Sequence, residues 1–119
     1  MKTFKNVAAQ GEISIRRIGA LPSGLVSRNP VNGRHIIGHS ETGHHHTMAA
    51  GGVDVLDRPD FSNSEGFARF YLTVAEPREM EHERPYDTHE SLLLAPGNYE
   101  ITINREYDPY AELARQTMD

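Results

Sequence analysis

The strictest constraint on this chain is an alternation with a period of two. In the run Phe67-Ala68-Arg69-Phe70-Tyr71-Leu72-Thr73-Val74, the residues Ala68, Phe70, Leu72 and Val74 fall on one side. Successive side chains of an extended chain point to opposite faces, so this spacing predicts a strand with one face in a core. The same alternation runs through residues 12–18 and 99–104, where Tyr99, Ile101 and Ile103 share a side. Shorter extended segments are expected at 34–39, 44–48, 53–56 and 91–94.

Turn signals separate these segments. Asn32-Gly33 is a hairpin signal, because both turn positions tolerate positive φ. Leu21-Pro22-Ser23-Gly24, Thr42-Gly43, Ala49 to Gly52, Asp57-Arg58-Pro59-Asp60 and Pro96-Gly97-Asn98 are further breaks, and residues 61–66 read as a surface loop. Residues 76–90 are charged and contain Pro77 and Pro85, so they read as an exposed excursion with little regular structure. Residues 1–10 read as an extended N-terminal arm. Asp108-Pro109 places a cap before a proline at a first helical position, so one short helix is expected at 109–116. Many short strands with Gly and Pro turns predict an all-β fold, a small single-domain β-barrel or sandwich with that one C-terminal helix.

The 119 residues make one domain, large enough to bury a core without staples. With no cysteine, disulfide scaffolds, thiolate metal sites and cysteine nucleophiles are excluded. The longest fully apolar run is Leu92-Leu93-Leu94-Ala95, far short of the ~20 residues a membrane helix needs. Residues 1–20 show no apolar signal-peptide region, so the expected compartment is the cytoplasm. The net charge of −5 is unevenly placed. Residues 1–60 carry seven Lys and Arg against five Asp and Glu, whereas residues 61–119 carry five against twelve. Neither half has the basic surplus that drives non-specific nucleic-acid binding.

Chemistry concentrates in the histidines. Five of the seven lie between His35 and His46, densest in His39-Ser40-Glu41-Thr42-Gly43-His44-His45-His46. On a strand, His44 and His46 share a face and can converge on one metal ion, while His45 points away. His39 can join them across a turn, Glu41 can act as ligand or general base, and His89 begins a later strand. Imidazoles with or without a carboxylate suit Zn, Mn, Fe or Ni. The competing reading is that these histidines are exposed, or satisfied within the core. That plainer reading is preferred for His35, which precedes Ile36-Ile37, and for His82, inside the charged excursion. Arg105 can clamp an anion bidentately and Tyr107 can donate a hydrogen bond or stack, against the alternative of an ordinary ion pair and a capping tyrosine. No G-x-S-x-G elbow, P-loop, G-x-G-x-x-G or H-E-x-x-H pattern occurs.

The order Gly38-His39-Ser40-Glu41-Thr42-Gly43-His44-His45-His46, then Arg84-Pro85-Tyr86-Asp87-Thr88-His89-Glu90, then Pro96-Gly97-Asn98-Tyr99-Glu100 and Arg105-Glu106-Tyr107 resembles a family of short uncharacterised proteins of bacteria, phages and prophages. The resemblance covers roughly residues 11–119. It implies a bacterial or phage origin and groups His39, Glu41, His44, His46 and His89, without implying a reaction. A more distant analogy is to the cupins, small β-barrels with an H-x-H strand and a later histidine. Here His89 precedes the Pro-Gly turn, and residues 47–53 contain no acid.

The leading expectation is a metal-dependent enzyme, hydrolytic on a small phosphate- or nucleotide-containing substrate. His39, His44, His46 and His89 would hold a divalent transition metal, Glu41 would be the general base, and Arg105 and Tyr107 would bind the substrate. Two alternatives belong to other classes. One is a binding module that sequesters a small anionic ligand without turnover. The other is a phage structural or assembly protein, placed in the virion or in a homo-oligomer.

Overall fold

A computed structural model describes residues 2–10, 13–38, 46–58, 67–82 and 91–104. The described chain forms eleven strands: β1 (Lys2–Thr3), β2 (Val7–Gln10), β3 (Ile13–Ile18), β4 (Val26–Arg28), β5 (Arg34–Gly38), β6 (His46–Ala49), β7 (Val53–Asp57), β8 (Phe67–Val74), β9 (Arg78–His82), β10 (Leu92–Leu94) and β11 (Gly97–Asn104). They make two sheets, a five-stranded one in the order β1-β10-β9-β6-β5 and a six-stranded one in the order β2-β3-β11-β8-β7-β4. The fold is therefore all-β, and of the two architectures expected the sandwich is the one that fits. The pairing of β1 with β10 is parallel and the remaining pairs are antiparallel. The short helix expected at 109–116 lies outside the described residues.

The period-two segments become the centre of the larger sheet. Register pairs Ile15 with Ile101 and Ile101 with Phe70, and pairs Tyr99 with Leu72 and Leu72 with Val55. Residues directly opposite share a face, so these rows present one apolar surface. It packs against Ile37, Met48, Met80, Leu92 and Leu94 of the smaller sheet, and all of these residues are buried. Burying a side chain of this size stabilises by about 1.5–3 kcal/mol.

One expectation is corrected here. Within residues 76–90, expected as an exposed excursion, Arg78–His82 form β9, a strand flanked by β10 and β6, and its Met80 is wholly buried, whereas residues 83–90 lie outside the described residues. The expected extended N-terminal arm carries two of the strands. β1 joins the edge of one sheet and β2 the edge of the other. β4 has no counterpart among the strands expected. The Asn32-Gly33 turn is as expected. Both residues have positive φ, 51° and 74°, and Val31 and Arg34 exchange backbone hydrogen bonds across it.

The two ends of the sandwich differ. At one, which we call the turn end, residues 29–33, 50–52, 75–77 and 95–96 carry the chain from sheet to sheet. There the Arg17 guanidinium donates to the Tyr99 hydroxyl at 2.9 Å and lies 5.2 Å from the ring centre. The hydroxyl in turn donates to the Ala95 carbonyl. Burial pushes the Tyr99 phenol above its ordinary value of 10.0, although Arg17 pulls the other way. Along one flank Arg28 ties the edge strands together. It pairs bidentately with Asp57 at 2.9 and 2.6 Å, reaches the Ile36 carbonyl of β5 at 3.3 Å, and lies over the Phe70 ring.

Candidate functional site

The opposite end, the rim, is set by register. There β2 ends at Gln10 and β3 begins at Ile13, β5 ends at Gly38 and β6 begins at His46, and β9 ends at His82. β10 begins at Leu92 beside Met80, and β11 ends at Asn104 beside Phe67, the first residue of β8. The rims of the two sheets meet, because a side chain of β2 reaches both β6 and β9. The stretches carrying His39 to His45, His89 and Arg105 to Tyr107 thus all join the described chain at this rim. His39, Glu41, His44, His45, His89, Arg105 and Tyr107 themselves lie outside the described residues.

His46 is the expected site residue that the structure describes. It is wholly buried, and its Nδ1 lies 2.8 Å from Gln10 Oε1. Gln10 Nε2 donates to the Met80 carbonyl at 3.2 Å. This chain of contacts fixes the protons. A main-chain carbonyl only accepts, so the amide nitrogen of Gln10 faces Met80 and its oxygen faces His46. That oxygen also only accepts, so His46 Nδ1 is the donor. In the neutral ring Nε2 then carries the lone pair. A histidine whose Nδ1–H is held by an outer partner is oriented and tautomerically set for metal ligation or proton transfer through Nε2.

Gly38 makes room for this ring. A Cβ at that position would lie 2.8 Å from Ile13 Cδ1 and 3.3 Å from His46 Cδ2. Gly38 pairs in register with His46, just past an irregularity between Ile36 and Gly38. On the other side of β6, the residue opposite His46 is His82.

His35 is a different case. It is buried, its Nε2 donates to the Val53 carbonyl at 3.0 Å, and its Nδ1 has no hydrogen-bond partner among the described residues. It pairs with Met48 inside the sandwich and ties β5 to β7, so of the two plainer readings, exposed or satisfied within the core, the structure gives the second. Elsewhere on the smaller sheet, Arg34 bonds Thr47 at 3.1 Å and pairs with Glu81, a polar row across β5, β6 and β9. Among the described residues, no three His, Asp or Glu side chains gather closely enough to hold a metal ion. No helix among them is long and apolar enough to cross a membrane.

Sequence reasoning missed Gln10. It follows Ala8-Ala9, and the His46 and Met80 groups it bonds lie 36 and 70 positions away, so no local pattern points to those contacts. Gly38 was visible as part of the Gly-His motif, although its packing against Ile13 was not.

The class defined so far is a two-sheet β domain with a glutamine-held histidine buried at one rim. The chain belongs to the family described as a domain of unknown function, DUF8820, which it matches over residues 9–104. The match begins within β2 and ends with β11. It therefore takes in Gln10, His39, Glu41, His44, His46, His82 and His89, whereas Arg105 and Tyr107 follow it. Among curated proteins and among solved structures, none matches this chain.

Proposed function

We propose that the rim is a metal centre in which His46 ligates through Nε2, and that the chain is a metal-dependent enzyme acting hydrolytically on a small anionic substrate. The observation that carries this reading is the Met80–Gln10–His46 relay, which holds Nδ1–H and presents Nε2 as the donor nitrogen. An imidazole set in this way suits borderline divalent ions such as Zn, Mn, Fe or Ni. The metal would lower the pKa of a bound water and so supply a nucleophile at neutral pH. His39, His44 and His89 are the proposed further ligands and Glu41 the proposed base, while Arg105 and Tyr107 would engage a phosphate-containing substrate. A bacterial or phage setting, which the order of motifs implies, would make a host nucleotide a reasonable substrate class.

Elemental analysis of protein purified without nickel resin, after growth with supplemented metals, tests the centre. The expected content approaches one equivalent of a transition metal, whereas less than about 0.2 equivalents refutes the reading. Phosphate release from a panel of nucleotides tests the activity. It is expected to disappear in His46→Ala and in metal-stripped protein.

A further inference from the structure

The Asn32-Gly33 turn joins β4 to β5 with its reactive groups bare. Both residues have positive φ, 51° and 74°, the geometry of a type I′ turn. Both are exposed, and Val31 and Arg34 exchange backbone hydrogen bonds beneath them. Neither the Asn32 carboxamide nor the Gly33 N–H has a hydrogen-bond partner among the described residues. A Cβ built on Gly33 would meet nothing within 4 Å, so the turn stands clear of the rest of the described chain.

The asparagines of this chain are not equivalent. A side-chain carboxamide lies one ring closure from the amide nitrogen of the residue that follows it. Asn29 is followed by Pro30, which has no N–H to give up. Asn6 is followed by the β-branched Val7, and Asn98 by Tyr99, which is wholly buried. Asn98 is also held in place. Its oxygen accepts from Thr73 Oγ1, and its nitrogen donates to the Gly19 carbonyl at 3.3 Å. Asn32 is the asparagine that precedes a glycine, whose nitrogen has no flanking side chain to obstruct it.

We propose that Asn32 is a self-modification site, at which the chain deamidates through a succinimide. The Gly33 nitrogen attacks Asn32 Cγ and gives up its proton, the bond from Cγ to the side-chain nitrogen breaks, and ammonia leaves. Water then opens the ring. Opening at Cγ gives an aspartyl residue. Opening at the main-chain carbonyl leaves the peptide linked through Cγ, as an isoaspartyl residue. Water is the co-reactant, and nothing is oxidised or reduced. Either product adds one negative charge at the turn end. The isoaspartyl product also adds an atom to the backbone of a two-residue turn. The Val31–Arg34 hydrogen bonds, and the bond from Ala50 N–H to the Gly33 carbonyl at 2.9 Å, depend on the length of that turn. The reaction therefore loosens the junction between the β4–β5 hairpin and the β6–β7 connection.

Peptide mapping by mass spectrometry tests the proposal, after the full chain is incubated at mildly alkaline pH in water enriched in heavy oxygen. The Asn32 peptide is expected to lose ammonia and take up one heavy oxygen before any other asparagine peptide does. Asn32→Asp supplies the aspartyl product as a chromatographic standard, and the isoaspartyl peptide is the product that elutes apart from it. The same chain unfolded in urea gives the reference rate. A surface turn opens locally at little cost, so the folded chain is expected to react within about 100-fold of that rate. A reaction that waited for global unfolding would be slower by about 1,000-fold or more. Earlier conversion of another asparagine, or a folded rate below about one-hundredth of the unfolded one, overturns the proposal.

Discussion

Replacing Gln10 by Leu removes the amide that spans the two sheets and leaves a side chain of similar size. The His46 Nδ1–H loses its acceptor in a fully buried position, and an unsatisfied buried donor costs about 1–3 kcal/mol. The bond to the Met80 carbonyl is lost as well, worth about 0.5–1.5 kcal/mol. Leucine returns part of this through added apolar burial, about 1 kcal/mol. The expected net loss is about 2 kcal/mol. For a domain of this size each kcal/mol moves Tm by about 3–6 °C, so the melt should fall by about 6–12 °C. Urea unfolding followed by circular dichroism gives the same quantity from the midpoint, provided the slope m is unchanged. Val7→Gln on the same strand is the control. Val7 is 68% exposed, and its replacement should stay within about 0.5 kcal/mol of the parent. If Gln10→Leu also stays within about 0.5 kcal/mol, the relay does not hold His46, and the tautomer argument fails with it.

Gly38→Ala should destabilise by about 1–3 kcal/mol, because the new methyl meets Ile13 Cδ1 at 2.8 Å. Ile13→Val removes that Cδ1, so the double variant should lose less than the sum of the singles. Additivity within about 0.3–0.5 kcal/mol would show that no such contact exists. The raised Tyr99 phenol has an alkaline signature. The unfolded chain can ionise this group near its ordinary 10.0 while the folded chain resists, so stability is intact below about pH 10 and is lost as pH rises toward the folded value. Spectrophotometric titration should show a phenol ionising above the ordinary 10.0, and Tyr99→Phe should remove that late step. A Tyr99→Phe titration identical in its last step would refute the assignment.

The strands that sequence reasoning found are those whose apolar residues alternate, such as Phe70, Leu72 and Val74 on β8 and Tyr99, Ile101 and Ile103 on β11. β9 escaped because one residue in its five, Met80, is apolar, and prolines and charges surround it. Its inward face is one buried methionine with ends at the two margins of the sheet, and periodicity over so short a run carries no signal. β4 has three residues and β1 two, too few for any pattern. His46 was singled out by the density of histidines around it. The opposition of His46 and His82 was not, because it exists only once β9 is recognised and paired. Gln10 shows the same limit. His46 and Met80, which it bonds, lie 36 and 70 positions away, and only the sandwich brings them to it.

β1 is the smallest element in the fold, yet it decides whether the β10 edge of the smaller sheet is covered. Leu92-Leu93-Leu94 is a short apolar strand of the kind that recruits other chains when its outer edge is bare. Lys2–Thr3 occupies that edge in parallel register, anchored by Lys2 N–H to the Ser91 carbonyl at 2.9 Å. Phe4 follows it and meets the Tyr99 ring edge-on, 6.0 Å between centres. Two residues thus act as a gatekeeper against edge-to-edge aggregation. Any fusion, tag or trimming that displaces them leaves a leucine edge open to strand pairing with another chain.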